Sequence, residues 1–286
     1  MAHATSNQIG PDQIPLGQSV PEEPEPCTVR ASSRQRLWSL AGRSLGRVVD
    51  IVTPPVCLKC REPLATHDSL CAACWTKIDF IRPPLCDRLG IPLPYDSGAG
   101  TLSAQAVAAP PVYGRARAVA RYDGVMRQLI HDLKFHDRHD MRKLLGRWMA
   151  QAGASLIADA DIVVPVPMHR WKLLKRRFNQ SAILSAELSR LTGRPSAPLA
   201  LARLRKTAPQ LGLTAIQRQQ NVKGAFAVPA RQLSAIEGRQ VLLVDDVITT
   251  GATICAATRA LLSAGAAGVD VLSLAIVTDT AATLDA

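Results

Sequence analysis

The run Val241-Leu-Leu-Val-Asp-Asp-Val-Ile-Thr-Thr-Gly-Ala-Thr253 places two adjacent carboxylates, three threonines and a glycine directly after four apolar residues. Such an order reads as a strand, an acidic pair, a small-residue turn and a helix. At the carboxyl end of a parallel strand the chain enters the crevice where α/β proteins bind ligands, and a helix starting at Ala252 turns its unpaired N–H groups and positive dipole end toward it. Thr249, Thr250 and Thr253 add hydroxyl donors, and Gly251 removes a side chain that would block close approach of an anion to the backbone. Asp245 and Asp246 accept only, so they suit neighbouring sugar hydroxyls and not a phosphate. A phosphate beside a vicinal diol describes a ribose 5-phosphate. The alternative is a solvated strand end followed by a plain helix cap, which explains each piece but not their order.

A second cluster is Cys57-x-x-Cys60, ten residues, then Cys71-x-x-Cys74. Two such pairs suit one tetrahedral Zn²⁺ held by four thiolates, a closed shell with a structural or partner-binding role. Seven cysteines, an odd number, do not frame a secreted disulfide scaffold. Cys86 is followed three residues later by Leu89, which argues against a second metal site. Cys27 and Cys255 stand apart from these pairs.

Composition limits the choices. The 286 residues are 47% hydrophobic, enough for a sizeable core, and carry 34 Lys and Arg against 23 Asp and Glu. Residues 111–224 hold 21 of those cations and only 7 of the acids. That field favours phosphates, nucleic acid or an acidic membrane surface. Aromatic residues are only 4%, which argues against a broad base-stacking platform. No apolar run reaches the roughly 20 residues of a bilayer span, and the first residues lack a signal peptide's basic start and apolar core, so a cytoplasmic location is expected.

The elements that must position these groups follow from periodicity. Residues 1–33 are Pro-, Gln- and Glu-rich and are expected to be a disordered tail. An amphipathic basic helix is expected over 34–52, then the cysteine module, then an irregular Pro-, Gly- and Ala-rich linker over 87–112, with a domain boundary near 110 and no internal repeat. Beyond it, strands are expected near Arg117–Tyr122, Asp161–Pro167, Val241–Val244 and Val269–Val277. Helices are expected near 125–134, over 140–157 with Asp140 as N-cap, over Asn179–Leu191 closed by Gly193, and over Ala252–Ser263 closed by Gly265. Buried strands alternating with helices predict a parallel sheet in an α/β domain spanning 111–286.

At all 13 positions the run 241–253 resembles the phosphoribosyl pyrophosphate (PRPP) motif of type I phosphoribosyltransferases. Val164-Pro-Val-Pro-Met-His-Arg170, Arg176-Arg-Phe-Asn-Gln180, Lys206-Thr-Ala-Pro-Gln210, Arg218 and Asn221-Val-Lys-Gly-Ala-Phe226 extend the resemblance to the ComF family, competence-associated phosphoribosyltransferase-like proteins. It covers roughly residues 50–280, although Arg177 stands where the family commonly has Gly. The resemblance implies a parallel sheet flanked by helices, preceded by a small zinc-ribbon-like module. It further implies PRPP bound by Asp245, Asp246, Thr249, Thr250, Gly251, Ala252 and Thr253. Pyrophosphate, with Mg²⁺, is expected against a loop containing His169, Arg170 and Arg176, under a mobile hood that includes Lys206 and Arg218. Asp245 and Asp246 are the catalytic candidates.

Three functions compete on these residues. One is transfer of ribose 5-phosphate from PRPP to an unidentified acceptor with release of pyrophosphate, a reaction of nucleoside metabolism. Another is a module for DNA uptake and transformation that binds single-stranded DNA or a helicase partner. The third is a PRPP-sensing regulator without turnover.

Overall fold

The computed structural model describes residues 54–95, 98, 100–135, 138–176, 178–205, 222 and 224–278. The tail, the 34–52 helix, Cys27, Arg177, Lys206, Thr207, Gln210, Arg218 and Asn221 lie outside them.

Four parallel strands form the central sheet: β1 (Ala116–Arg121), β2 (Ile162–Pro165), β5 (Gln240–Ile248) and β6 (Gly268–Ile276), in the order β1-β6-β5-β2. The inner strands β5 and β6 pair from Gln240 with Gly268 to Ile248 with Ile276. Their residues alternate between two cores. Leu242, Val244, Leu272 and Leu274 face one, while Val241, Leu243, Val269 and Val271 face the other. Both faces are covered, which is why these strands read as continuous apolar runs.

On the first face lie α1 (Gly124–Phe135), α2 (Arg142–Ala152) and α4 (Gln180–Thr192), contributing Met126, Leu129, Leu133, Leu145, Met149, Leu184 and Leu188. On the second lies α5 (Ala252–Ser263), through Ile254, Ala257 and Leu261, beside a two-stranded antiparallel ribbon of β3 (Ala202–Arg203) and β4 (Phe226–Ala227). A short helix α3 (Arg170–Arg176) follows β2. The expected α/β architecture is therefore present.

Local differences have physical causes. The helix expected over 140–157 is a 3-10 turn at His139–Met141 followed by α2 and a separate helix at Ala154–Asp159. It breaks at Gly153, where an added Cβ would meet Leu272 Cδ2 at 2.6 Å, so contact with the sheet dictates a glycine. Asp140 is not the cap of α2. It is drawn to Arg138, whose Nε and Nη2 donate to it at 2.9 Å. Gly193 closes α4 in the left-handed conformation, φ 72°, as its position suggested.

The cysteine-bearing segment contains a repeat whose second copy shows in the sequence only as an eroded cysteine pair, Cys86 followed three residues later by Leu89. In the first knuckle Cys57 N–H donates to Glu62 O, Arg61 N–H to Cys57 O, Leu64 N–H to Pro55 O and Cys71 N–H to Cys57 Sγ. In the second, Cys86 N–H donates to Ile91 O, Gly90 N–H to Cys86 O, Leu93 N–H to Pro84 O and Ser103 N–H to Cys86 Sγ. Arg61 and Gly90 both take the left-handed conformation, φ 68° and 66°. A short helix follows each, Ala72–Trp75 and Ala104–Ala108. Thus Cys86, Leu89, Ser103 and Ala106 occupy the places of Cys57, Cys60, Cys71 and Cys74. Part of the stretch expected to be irregular linker is this second knuckle, concealed because only one of its four cysteines remains.

The residues between the knuckles edge the sheet. Ile81 N–H donates to Val119 O at 3.0 Å and Arg121 N–H to Asp79 O at 2.9 Å, so the outer side of β1 is covered. Trp75, Phe80 and Trp148 of α2 form a ring cluster with centroids 4.7–5.4 Å apart. Trp148 is 7% exposed, so Trp148→Ala is expected to cost about 3 kcal/mol. Chemical denaturation measures this, and a loss below about 0.5 kcal/mol would show that the cluster does not fasten the module to the sheet.

Candidate functional site

The acidic pair lies within β5, which runs four residues further than its apolar segment suggests because β6 continues to pair with it. On its other side β2 stops: Pro165 is opposite Val244, and Val166 N–H makes the last bond, 2.8 Å, to Val244 O. Asp245 and Asp246 therefore emerge where one neighbouring strand ends and the crevice opens.

The loop after β2 begins and ends at this place. Asn179 Nδ2 donates to Val166 O at 3.0 Å, and Asn179 Oδ1 accepts from Ser181 N–H to start α4. Ser181 Oγ then donates to Asp245 Oδ1 at 3.0 Å. Both ends of the segment carrying His169, Arg170 and Arg176 are thereby anchored beside the acidic pair. His169 is buried, and its Nδ1 accepts from Trp171 N–H at 3.4 Å. Arg170 opens α3. Arg176 lies over the Phe135 ring, 4.6 Å from its centroid.

Beyond the pair, Thr249 and Thr250 are exposed, and Gly251 is the N-cap of α5 with φ 72°. As a glycine it offers no side chain to cap this helix start. Nothing lies within 4 Å of a Cβ added at Gly251, so the backbone conformation is what requires glycine, and the space over the turn is open. Ala252 and Thr253 begin the helix there.

Residues outside the sequence motifs complete the arrangement. Lys134 Nζ lies 3.0 Å from Asp246 Oδ2, and Lys134 O accepts from Gln180 Nε2 at 3.4 Å. Asp246 N–H donates to Asp245 Oδ1 at 2.9 Å. Arg203 stacks over Phe226 at 5.2 Å, and burial lowers its pKa against the pull of the Asp245 charge. Asp245 retains part of its surface, yet burial, followed by the charge of Asp246, pushes its pKa up to about 7. A carboxyl so placed titrates near neutral pH. Lys134 was legible only as a cation in the last turn of a helix, and Ser181 only as the residue after Asn-Gln.

In the module, one sulfur from each of Cys57, Cys60, Cys71 and Cys74 lies within 4.8 Å of the others, with Cys60 Sγ and Cys71 Sγ 3.6 Å apart. The edge of a tetrahedral thiolate shell with Zn–S about 2.3 Å is about 3.8 Å, so the donor set fits zinc. Burial opposes ionisation of Cys57, but N–H donors from Cys71, Cys60 and Lys59 lower its pKa to about 6. Burial and then its neighbours Cys71, Cys60 and Cys57 push Cys74 up to about 12. A divalent cation is what allows four crowded thiolates to be charged together.

Comparison with known proteins agrees with both halves. Residues 48–106 match the Double zinc ribbon domain family and residues 180–285 the Phosphoribosyl transferase domain family. The DNA utilization protein YhgH of Escherichia coli K12 is 32% identical over 233 residues, 78% of this chain and 98% of its own. Competence protein F of Haemophilus influenzae is 29% identical over 77% of this chain and 96% of its own. Among solved structures, the glutamine PRPP amidotransferase of B. subtilis is 28% identical with a TM-score of 0.33, over 46% of this chain and about a quarter, 26%, of that one. Among the described residues no helix is long and apolar enough to cross a membrane. With the acidic pair set in a parallel sheet and a double zinc ribbon before it, this chain belongs to the ComF family, that of YhgH and competence protein F, and itself joins a double zinc ribbon domain to a phosphoribosyl transferase domain.

Proposed function

We propose that the crevice binds PRPP and that the protein transfers its ribose 5-phosphate to an acceptor, releasing pyrophosphate. The observation that carries this reading is the acidic pair held at the mouth of the crevice, next in chain to a helix start whose N-cap is a glycine. On this reading the 5-phosphate lies on the Thr249–Thr253 turn, and the ribose 2- and 3-hydroxyls donate to Asp245 and Asp246. Pyrophosphate would lie against His169, Arg170 and Arg176, and a bound Mg²⁺ would supply further charge neutralisation there. Lys206 and Arg218, outside the described residues, are the cations proposed to neutralise the departing pyrophosphate.

The reaction breaks the bond from the anomeric carbon to the pyrophosphate oxygen, which keeps the electron pair, while the acceptor's lone pair forms the new bond. Positive charge develops on the sugar ring between these events, and the two aspartates are where that charge is stabilised.

A second reading is contact with single-stranded DNA along α3. It is favoured by Trp171, 60% exposed within a run of lysines and arginines, since a ring among cations serves base stacking and phosphate contact together. Recruitment of a DNA-uptake helicase is the protein-partner version of this role. A cytoplasmic setting is consistent with all three.

Titration calorimetry with PRPP and Mg²⁺ is expected to show binding by the wild type and at least about tenfold weaker binding by the Asp245→Asn, Asp246→Asn double variant. Equal binding would remove the PRPP reading, and pyrophosphate assays with candidate acceptors separate turnover from binding. An oligonucleotide is expected to quench Trp171 fluorescence with affinity that falls steeply as salt rises. A salt-independent signal, or one retained in Trp171→Ala, counts against the DNA reading. Metal analysis is expected to find one zinc per chain in the wild type and its loss in Cys57→Ser. A stoichiometric ion in that variant would contradict the four-thiolate site.

A further inference from the structure

The last turn of α1 borders the crevice, yet nothing in the strand, turn and helix motif includes it. Lys134 reaches across to Asp246 at 3.0 Å while its own backbone carbonyl is tied to Gln180, which is 1% exposed, in the first turn of α4. The next residue, Phe135, carries Arg176 on its ring. One turn of helix thus touches both the acidic pair and an arginine of the loop after β2. Lys134 keeps only 20% of its side-chain surface and Asp246 15%, so their attraction is little screened.

The geometry points to Lys134 as the positioning residue of this site: its ammonium group fixes the Asp246 carboxylate and thereby sets the charge on Asp245 beside it. This assignment rests on the PRPP reading only for what the pair binds, since the contacts belong to the unliganded chain.

The charged and polar groups facing Asp245 define how it responds. Asp246 on the same strand disfavours its ionisation. Ser181 on α4 and the Asp246 N–H favour it by donating to Oδ1. Lys134 on α1 favours it through space, and Arg203 on β3 interacts with it from the other side of the crevice. Ser273, opposite on β6, is neutral. Removing the Lys134 charge leaves Asp246 without its ion-pair partner and strengthens its repulsion of Asp245. Asp245 then holds its proton to higher pH. The proton-bearing form is the poorer acceptor for a sugar hydroxyl.

The test compares wild type with Lys134→Met and Lys134→Arg. Carboxyl ¹³C NMR, with the Asp245 signal assigned through Asp245→Asn, follows the unliganded proteins. The Asp245 midpoint is expected to rise by about one pH unit in Lys134→Met and to return in Lys134→Arg. PRPP affinity at pH 7 is expected to fall about fivefold in Lys134→Met, to recover as pH is raised toward 9, and to be near wild type in Lys134→Arg. A purely structural role would leave the midpoint unmoved and the lost affinity unrescued by pH, and either result overturns the assignment. Should the midpoint move while the wild type itself binds no PRPP, Lys134 keeps its role and the PRPP reading is what fails.

Discussion

Two carboxylates on consecutive residues at the end of a central strand are the constraint to which the rest of the crevice answers. Unit charges about 5 Å apart at an effective dielectric near 20 repel by about 3 kcal/mol, roughly two pH units, which adds to burial in raising the pKa of Asp245. The chain offsets this from three separate elements: the Lys134 ammonium from α1, the Ser181 hydroxyl from α4 and a backbone N–H within β5. Each of those elements is fixed by the apolar core on the first face of the sheet, through Leu129, Leu133, Leu184 and Leu188. Packing a long way from the crevice therefore sets the charge within it. The loop after β2 is drawn into the same arrangement, because Asn179, which starts α4, also holds Val166 at the strand's end.

The zinc ribbons serve the other side of the sheet. A parallel sheet of four strands has two outer strands, and an uncovered one invites pairing with another chain. Here the segment between the two knuckles bonds to β1, and the ring cluster of Trp75, Phe80 and Trp148 fastens the first knuckle to α2. The second knuckle keeps its turn without four thiolates. Cys86 is fully buried and its sulfur accepts N–H groups from Leu89 and Ser103, which lowers its pKa even though burial acts the other way. Ser103 caps its short helix, and Ala106, where a ligand would stand, is 1% exposed. Hydrogen bonds and packing occupy the position that a metal occupies in the first knuckle.

What the sequence showed depended on whether a function was local. The strands, the Asn179 and Gly193 ends of α4, the acidic pair and the Thr-Gly turn are each written in a few neighbouring residues, and all appear where their spacing placed them. The four-cysteine site is local in the same way. Lys134 is 112 residues from Asp246, and its contact exists only because α1 and β5 share a core, so no spacing rule could have paired them. The second knuckle showed only as an eroded cysteine pair at Cys86 and Leu89: a repeat recognised by its cysteines fades when three of four are replaced, while the backbone bonds that define it leave no mark on residue types. The single helix expected over 140–157 failed because Gly153 reads as a tolerated interruption, and only contact with Leu272 reveals why it is required.

The acidic pair also has a cost that argues for a ligand. An unfolded aspartate titrates near 4, whereas folded Asp245 titrates at about 7, so the folded chain holds this proton more tightly than the unfolded one. Stability contributed through this group therefore falls as pH climbs through that window and levels off above it. An asparagine would avoid the penalty and still accept the Ser181 bond at one oxygen. What it could not supply is a second acceptor oxygen, or negative charge where a positive centre develops. If a vicinal diol enters, its hydroxyls donate to the pair and favour the ionised form, so binding releases a proton and relieves part of the strain that the empty crevice carries. A carboxyl kept near its midpoint by Asp246 on one side and Lys134 and Ser181 on the other is poised for that exchange, which a solvated strand end would have no reason to maintain.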